Sequence, residues 1–331
     1  MAKPHVCIIS PAAVGANNGN WQTAARWARF LREGYRLTCV TASAAVAGND
    51  HPDLIIALHA RRSAQALAGY SISTPSAPSI LVLTGTDLYR DIHTDATARN
   101  ALRIATRLVV LQATGVAELP AEVRSKAEVI YQSAPTLRPA SHRPGSAHRF
   151  NIIMVGHLRA EKDPSTFLRA CQLLRDTPLR FSHVGAILDP HFASEVAATT
   201  AAVPHYRWLG NQAHAATRQR LKRSDLMVIS SLMEGGANVI IEAVTSGVAV
   251  IASDISGNRG LLGDDYAGYF PAGDAAALAA LIQRCATDPE FHALLRRQGE
   301  ARRTLFDPAR ERAAVIGLVD NLLQIAGRPR G

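Results

Sequence analysis

Cysteine is scarce and scattered in this sequence: Cys7, Cys39, Cys171 and Cys285 stand far apart, with no CxxC pair among them. Such spacing supplies neither a disulfide framework nor a zinc-ligand signature, so a reducing cytoplasm is the expected location. Aromatic residues make up only 5%, too few to interleave with basic side chains as a platform for stacked bases. Lysine is nearly missing as well. Of 36 basic residues only four are lysine (Lys3, Lys126, Lys162, Lys222), and the rest are arginine. The net charge is +9, but the arginines are dispersed, and no nucleic-acid partner is expected. Guanidinium groups that grip the phosphates of a small substrate fit this composition better, over a background of solvated surface arginine. No long apolar run spans a membrane. The longest uncharged stretch, Ser63–Thr86, is broken by Pro75 and Pro78 and crowded with serine and threonine, which excludes an integral membrane helix there. The opening MAKPHVCIIS lacks a basic segment followed by a long apolar one and reads as a first β-strand.

What is present is core-forming sequence. Hydrophobic residues make up 47% of 331, enough for two ordinary domains. Short apolar, β-branched runs alternate with longer segments of helical period. His5–Ile9, Leu37–Thr41, Asp53–Leu58, Ser79–Leu83, Arg107–Leu111 and Ala127–Ile130 predict strands, with helices at Trp21–Arg32 and Thr94–Ala105. A stretch of prolines, glycine, histidines and arginines without periodicity then reads as a linker, residues 137–149. The pattern restarts with strands at Phe150–Val155, Arg180–Val184, His205–Leu209, Leu226–Ser230 and Val248–Ala252. Helices are predicted at Pro164–Leu174, Ala213–Arg223, Asn238–Thr245, Ala275–Cys285 and Pro308–Ile325. Alternating βαβ units imply an α/β fold. The expectation is two Rossmann-like doubly wound domains, residues 1–136 and 150–306, facing across a cleft, with residues 307–331 packing back on the first. Ligands then belong at the carboxyl ends of the strands.

The sharpest local signal is Asp225–Ser253, DLMVISSLMEGGANVIIEAVTSGVAVIAS. A strand leads through Gly235 and Gly236 into a helix of about two turns, which ends at Gly247 as a C′ glycine before another strand. Glycines let a ligand approach the backbone, and a helix start favours a diphosphate. Glu234 precedes the helix and Glu242 lies one turn into it, so the two carboxylates suit different hydroxyl pairs of one elongated ligand. The plainer reading, two exposed glutamates flanking a turn, is the better one for an isolated E-x7-E. The strand–GlyGly–helix–Gly–strand setting favours the ligand.

This block resembles the donor-binding signature of retaining GT-B glycosyltransferases of the GT4 type. The resemblance implies that Glu234 faces the donor sugar, that Glu242 binds ribose hydroxyls, and that Gly235, Gly236, Ala237 and Asn238 line the donor. Met154–Asp163, MVGHLRAEKD, is similar to the family's strand and loop that end in a lysine on the donor diphosphate. That places Gly156, His157, Arg159 and Lys162 at the donor, with Glu234, Lys162 and His157 as the catalytic candidates. The family has arginine where His157 stands, and Arg159 is its nearest substitute.

In the first half, PAAVGANNGNWQTAARWARF sets Gly15, Asn17, Asn18, Gly19 and Asn20 between a strand and a helix. This is an anion or sugar cradle or an ordinary βα turn. Two further strand ends carry His59, Arg61 and Arg62, and then Thr84, Gly85, Thr86, Asp87 and Arg90. Arginines at strand ends suit a small, multiply charged acceptor; pairing with Asp87 or Asp91 is the alternative. Together GANNGNWQTA, ALHARRSA, LTGTDLYRDI, VIYQSAP, MEGGANVIIEAVTSG and DDYAGYFPAGD resemble the selenosugar synthases of selenoneine biosynthesis over nearly the whole chain. The resemblance implies transfer from UDP-N-acetylglucosamine or UDP-glucose to selenophosphate. Selenium attacks the anomeric carbon, UDP leaves, and loss of phosphate gives a 1-selenosugar. No cofactor is expected. No DxD motif stands at a strand end, Asp264–Asp265 being a bare pair, and metal-independent chemistry is expected. The alternatives are a GT4 enzyme acting on a hydroxyl, a UDP-sugar 2-epimerase of the same fold, and a binding module without turnover.

Overall fold

A computed structural model of the protein describes residues 3–13, 15, 16, 18–47, 51–138 and 149–327. The chain divides into two compact units, 1–132 with 308–331, and 133–307. Most of the predicted linker, residues 139–148, lies outside the described residues.

Unit 1 holds six strands: β1 His5–Ser10, β2 Arg36–Thr41, β3 Leu54–Leu58, β4 Ser79–Leu83, β5 Arg107–Val110 and β6 Ala127–Val129. They form one parallel sheet in the order β2-β1-β3-β4-β5-β6. Its helices are α1 Gly19–Leu31, α2 Ala42–Ala47, α3 Ala64–Ser73, α4 Ile92–Thr94, α5 Ala96–Ile104, α6 Gly115–Glu118 and, from the chain end, Pro308–Ile325. A parallel sheet is covered on both faces, so its strands read as continuous apolar runs. Alternate residues then serve separate cores. Cys7, Ile9, Ile55 and Ala57 join Leu67 and Leu102 of α3 and α5 on one face. Val6, Ile8, Leu54, Ile56 and Leu58 join Trp27 and Leu31 of α1 with Val315, Val319 and Leu323 of the last helix on the other. A buried ion pair fixes that last helix: both Glu311 oxygens accept from Arg26 Nε at 3.0 and 2.8 Å, and Oε1 also accepts from Trp27 Nε1 at 2.8 Å.

Unit 2 holds β7 Asn151–Val155, β8 Arg180–Val184, β9 Tyr206–Trp208, β10 Leu226–Ile229, β11 Ala249–Ser253 and β12 Tyr269–Phe270. These too are all parallel, in the order β12-β11-β10-β7-β8-β9. Its helices are α7 Pro164–Leu173, α8 Phe192–Ala202, α9 His214–Leu221, α10 Asn238–Val244, α11 Ser256–Leu262, α12 Ala275–Thr287 and α13 Pro289–Arg302; the helix Pro308–Ile325 of unit 1 is α14. Strand order reverses between β7 and β10, the place where doubly wound sheets open a ligand crevice at their carboxyl edge. The loops leaving these two strands are the ones that carry Lys162 and Glu234.

The predicted strands are all present, with ends displaced by at most a residue or so. The helix predicted to run Ala213–Arg223 is shorter, His214–Leu221, and the one predicted to end at Cys285 continues to Thr287. α2, α3, α4, α6, α8, α11, α13 and the two-residue β12 are additions to the pattern read from sequence.

Candidate active site

Two loops meet at the β7/β10 reversal. The first, Gly156–Asp163, leaves β7 and ends in a 3-10 turn, Ala160–Lys162. Asp163, held at φ 41°, then caps α7, accepting from Thr166 N at 3.3 Å and Thr166 Oγ1 at 2.5 Å. The second loop, Ser230–Ala237, leaves β10. The loops are stitched together by Ser230 Oγ, which donates toward the carbonyls of Lys162 (3.0 Å) and Asp163 (2.8 Å), and by Leu232 N on Glu161 O at 2.9 Å. This frame brings Lys162 Nζ to 2.5 Å from Glu234 Oε1, an oxygen that also accepts from Ser231 Oγ at 2.6 Å. Glu234 and Glu242 are each only 7% exposed. Neither is a solvated surface glutamate, so the plainer reading of the E-x7-E spacing does not describe them.

Glu234 is seated by close packing as well as by hydrogen bonds. A Cβ on Gly257 would lie 1.8 Å from the Glu234 carbonyl oxygen, so only glycine lets the start of α11 approach there. α10 begins after Ala237, whose carbonyl accepts from Ile240 N and Ile241 N. It ends as expected at Gly247, φ 68°, with Gly247 N on Val244 O and Val248 N on Ala243 O, the Schellman pattern.

The β7 exit is fastened to the β8 exit. Gly156 N donates to Val184 O (2.9 Å), Leu158 N to Ala186 O (2.8 Å), and Ala186 N to His157 Nδ1 (3.0 Å). The imidazole expected at the donor is therefore bound through Nδ1 to the neighbouring loop. Gly185 packs against Gly156 so closely that a Cβ there would lie 1.9 Å from the Gly156 oxygen. Beneath them His183, fully buried, faces the same Gly156 oxygen at 3.3 Å, and burial pulls its pKa down to about 4. Arg159 lies 3.9 Å from Glu161, an ion pair within its own loop.

Around Glu242 the partners come from α9. His214 Nε2 is 2.6 Å from Glu242 Oε1. One turn on, Arg218 is buried and donates to Pro135 O at 2.7 Å. Burial lowers its pKa, and the charge of Glu242 pushes it back up. No motif in the sequence marks Ser231, His214, Arg218, His183 or Gly257. The His214/Arg218 spacing is a helical i, i+4 pair, the one local signal that both side chains share a face.

In the β1–α1 loop of unit 1, Ala13, Gly15 and Asn18 are exposed, and Pro11, Ala12 and Ala16 are half-buried. Asn18 caps α1, accepting from Trp21 N at 3.1 Å, Gly19 and Asn20 open the helix, and Gly15 takes φ 80°. Asn17 lies outside the described residues. At the end of β3, His59 is buried with φ 72°, a conformation that side chains rarely adopt. Its Nδ1 accepts from Arg62 N at 3.4 Å, and its Nε2 sits 3.1 Å from Thr86 Oγ1 and 3.9 Å from Asp91. Burial is the main cause of its lowered pKa. The fully buried Asp87 accepts from the backbone N–H groups of Ala60, Thr84 and Gly85 at 2.8–2.9 Å, which ties the β3 exit to the β4 exit. Arg61 and Arg90 both pair with Asp91, at 3.7 and 3.1 Å, and Arg61 also with Asp95 at 3.6 Å. Arg62 is exposed.

Comparison with known proteins gives these two units a setting. Residues 143–302 match the family model described as glycosyl transferases group 1. Over 310 residues the chain is 24% identical to the glycosyltransferase 1 domain-containing protein 1 of Xenopus tropicalis, covering 86% of this chain and 88% of that one. Among solved structures it is similar to Anabaena HepE, determined with UDP and glucose (TM-score 0.75, 18% identity, 96% of this chain and 100% of that one). It is also similar to sucrose-phosphate synthase of Thermosynechococcus elongatus (TM-score 0.80, 17% identity, 98% and 100%). These likenesses establish the two-sheet GT-B fold.

Proposed function

We propose that this chain, whose residues 143–302 match the group 1 glycosyl transferase model and whose two sheets take the GT-B fold, transfers the sugar of a UDP-sugar to selenophosphate. The observation that carries the donor half of this reading is the meeting of Lys162, Glu234 and Ser231 at the strand-order reversal of unit 2. An ammonium next to a buried carboxylate provides, within one site, a cation for a diphosphate and an acceptor for sugar hydroxyls. Glu242, eight residues on and equally buried, serves the ribose hydroxyls. That a similar structure was solved with UDP and glucose supports the choice of donor.

Selenophosphate as acceptor is supported by the likeness, over nearly the whole chain, of motifs such as ALHARRSA, LTGTDLYRDI and DDYAGYFPAGD to the selenosugar synthases, with UDP-N-acetylglucosamine or UDP-glucose as the donors it implies. Selenium of the anionic acceptor attacks the anomeric carbon. The bond from that carbon to the diphosphate oxygen breaks as the C–Se bond forms, and UDP leaves with the electron pair. Water then cleaves the P–Se bond, releasing phosphate and a 1-selenosugar. An anionic selenium nucleophile needs little general-base help, so catalysis consists of holding two anions together and stabilising the departing diphosphate. Lys162 meets the charge on UDP, and Arg61, Arg62 and Arg90 are the cations proposed for the acceptor.

The test is direct. Purified protein with UDP-N-acetylglucosamine or UDP-glucose and selenophosphate should form a selenium-containing sugar with equimolar UDP, seen by mass spectrometry from the selenium isotope pattern. UDP formation without a selenium-containing sugar, with a hydroxyl acceptor consumed instead, rejects the acceptor. An epimerised donor formed without any acceptor rejects the transferase chemistry.

A further inference from the structure

The donor-site reading gives Glu242 the ribose, and the structure shows that this carboxylate does not stand by itself. We propose that His214 is a positioning residue for nucleotide binding, acting through Glu242, and that its effect is confined to the ribose hydroxyls. The inference rests on the assignment of Glu242 to a nucleotide donor and extends it to a helix that no motif marks.

Glu242 is fixed in α10 and buried, so its carboxyl plane is set by what it touches. His214, the first residue of α9, places Nε2 at 2.6 Å from Oε1. A carboxylate offers four lone-pair sites on two oxygens. Engaging Oε1 from α9 fixes the rotation of the carboxylate and leaves Oε2 as the principal acceptor. Two vicinal hydroxyls of one ribose demand just such a fixed acceptor, because a rotating carboxylate meets both only a fraction of the time. The imidazole is 43% exposed on its side chain, so it serves as an orienting contact at the rim of the site and not as core.

Arg218 completes the arrangement one helical turn on. It is 8% exposed, Nη2 donates to Pro135 O at 2.7 Å, and Nε has no hydrogen-bond partner among the described residues. A buried guanidinium is retained at a cost. Here its positive charge interacts favourably with Glu242, which offsets part of that cost. Orientation from His214 and charge from Arg218 thus arrive from one face of α9. Packing of α9 on α10 keeps that face against Glu242.

The experiment compares UDP with 2′,3′-dideoxy-UDP by isothermal titration on the intact chain. Wild-type protein should prefer UDP by about tenfold or more, the size expected of hydrogen bonds to a charged acceptor. His214→Ala should cut that preference at least threefold and leave dideoxy-UDP binding unchanged. His214→Gln, whose side-chain amide occupies the Nε2 position, should restore it. Donor KM should rise in His214→Ala with kcat unchanged, and the thermal midpoint should stay within about a degree. Equal loss for both nucleotides, or no loss for either, overturns the assignment of His214 alone. Wild-type protein that binds UDP and dideoxy-UDP equally, or binds neither, overturns the donor-site reading itself.

Discussion

Lys162 Nζ and Glu234 Oε1 lie 2.5 Å apart, joining residues 72 positions apart at the reversal of strand order. In this pairing the ammonium is neutralised by a carboxylate. In the proposed reaction a bound diphosphate would compete for the ammonium and leave Glu234 to accept from the sugar, so the two side chains should couple. Lys162→Ala should weaken UDP binding by about 10- to 100-fold, as loss of a charge-assisted contact does. Glu234→Ala should lower kcat by about 100-fold with a smaller change in UDP affinity. The double variant should cost less than the sum in free energy. Calorimetry and steady-state kinetics on the four proteins measure this.

Glu242→Ala should act on binding. The proposed function gives it the ribose, and its partners His214 and Arg218 are not those of Glu234. The expected outcome is a UDP Kd raised by about tenfold or more, with kcat at saturating donor within threefold of wild type. A kcat loss as large as that of Glu234→Ala would contradict the division of roles.

Gly257→Ala adds one methyl group 1.8 Å from the Glu234 carbonyl oxygen. The obstructing atom is backbone, so the loop itself must shift. Turnover should fall at least tenfold, since displacement of a catalytic group by about 1 Å is costly, while unit 1 keeps its own unfolding transition. Differential scanning calorimetry with activity assays separates these effects.

His183 carries a pH prediction. Burial holds its folded-state pKa at about 4, below the ordinary value of about 6.5. The unfolded chain therefore binds more protons between those two values, and stability rises with pH across that window. The neutral imidazole's contribution is complete above pH 6.5 and is lost as the pH falls toward 4, on the order of 3 kcal/mol. Urea midpoints of unit 2 should drop over that range, with a shallower slope in His183→Gln.

In the proposed reaction Lys162 would meet the diphosphate charge that a divalent ion meets in many transferases. Excess EDTA should therefore leave the rate unchanged, and added magnesium should not raise it. A rate abolished by EDTA and restored by magnesium would assign the diphosphate to a metal.

Much of this is legible in the sequence. Strands such as Leu54–Leu58 and Leu226–Ile229 are apolar at every position because helices cover both faces of a parallel sheet, and such runs are hard to miss. α3 is obscured because AQALAGYSIS has no charged face and merges into an uncharged stretch. The two-residue β12 is too short for any period to register. The glutamates and Lys162 are legible because glycines and strand ends frame them. His214 and Arg218 are not, since their meeting with Glu242 is made by the packing of α9 on α10, between residues 28 and 24 positions apart. Ser231 is closer in sequence, but a serine after a strand has many ordinary uses.

The most direct measurement is continuous UDP release from a UDP-sugar, followed with and without selenophosphate for wild type and Glu234→Ala. Wild type should release UDP rapidly only when selenophosphate is present, and the rate should fall about 100-fold in Glu234→Ala, the size typical of losing one preorganised catalytic group. Release that is indifferent to selenophosphate, or unchanged in the variant, would contradict the proposed transfer.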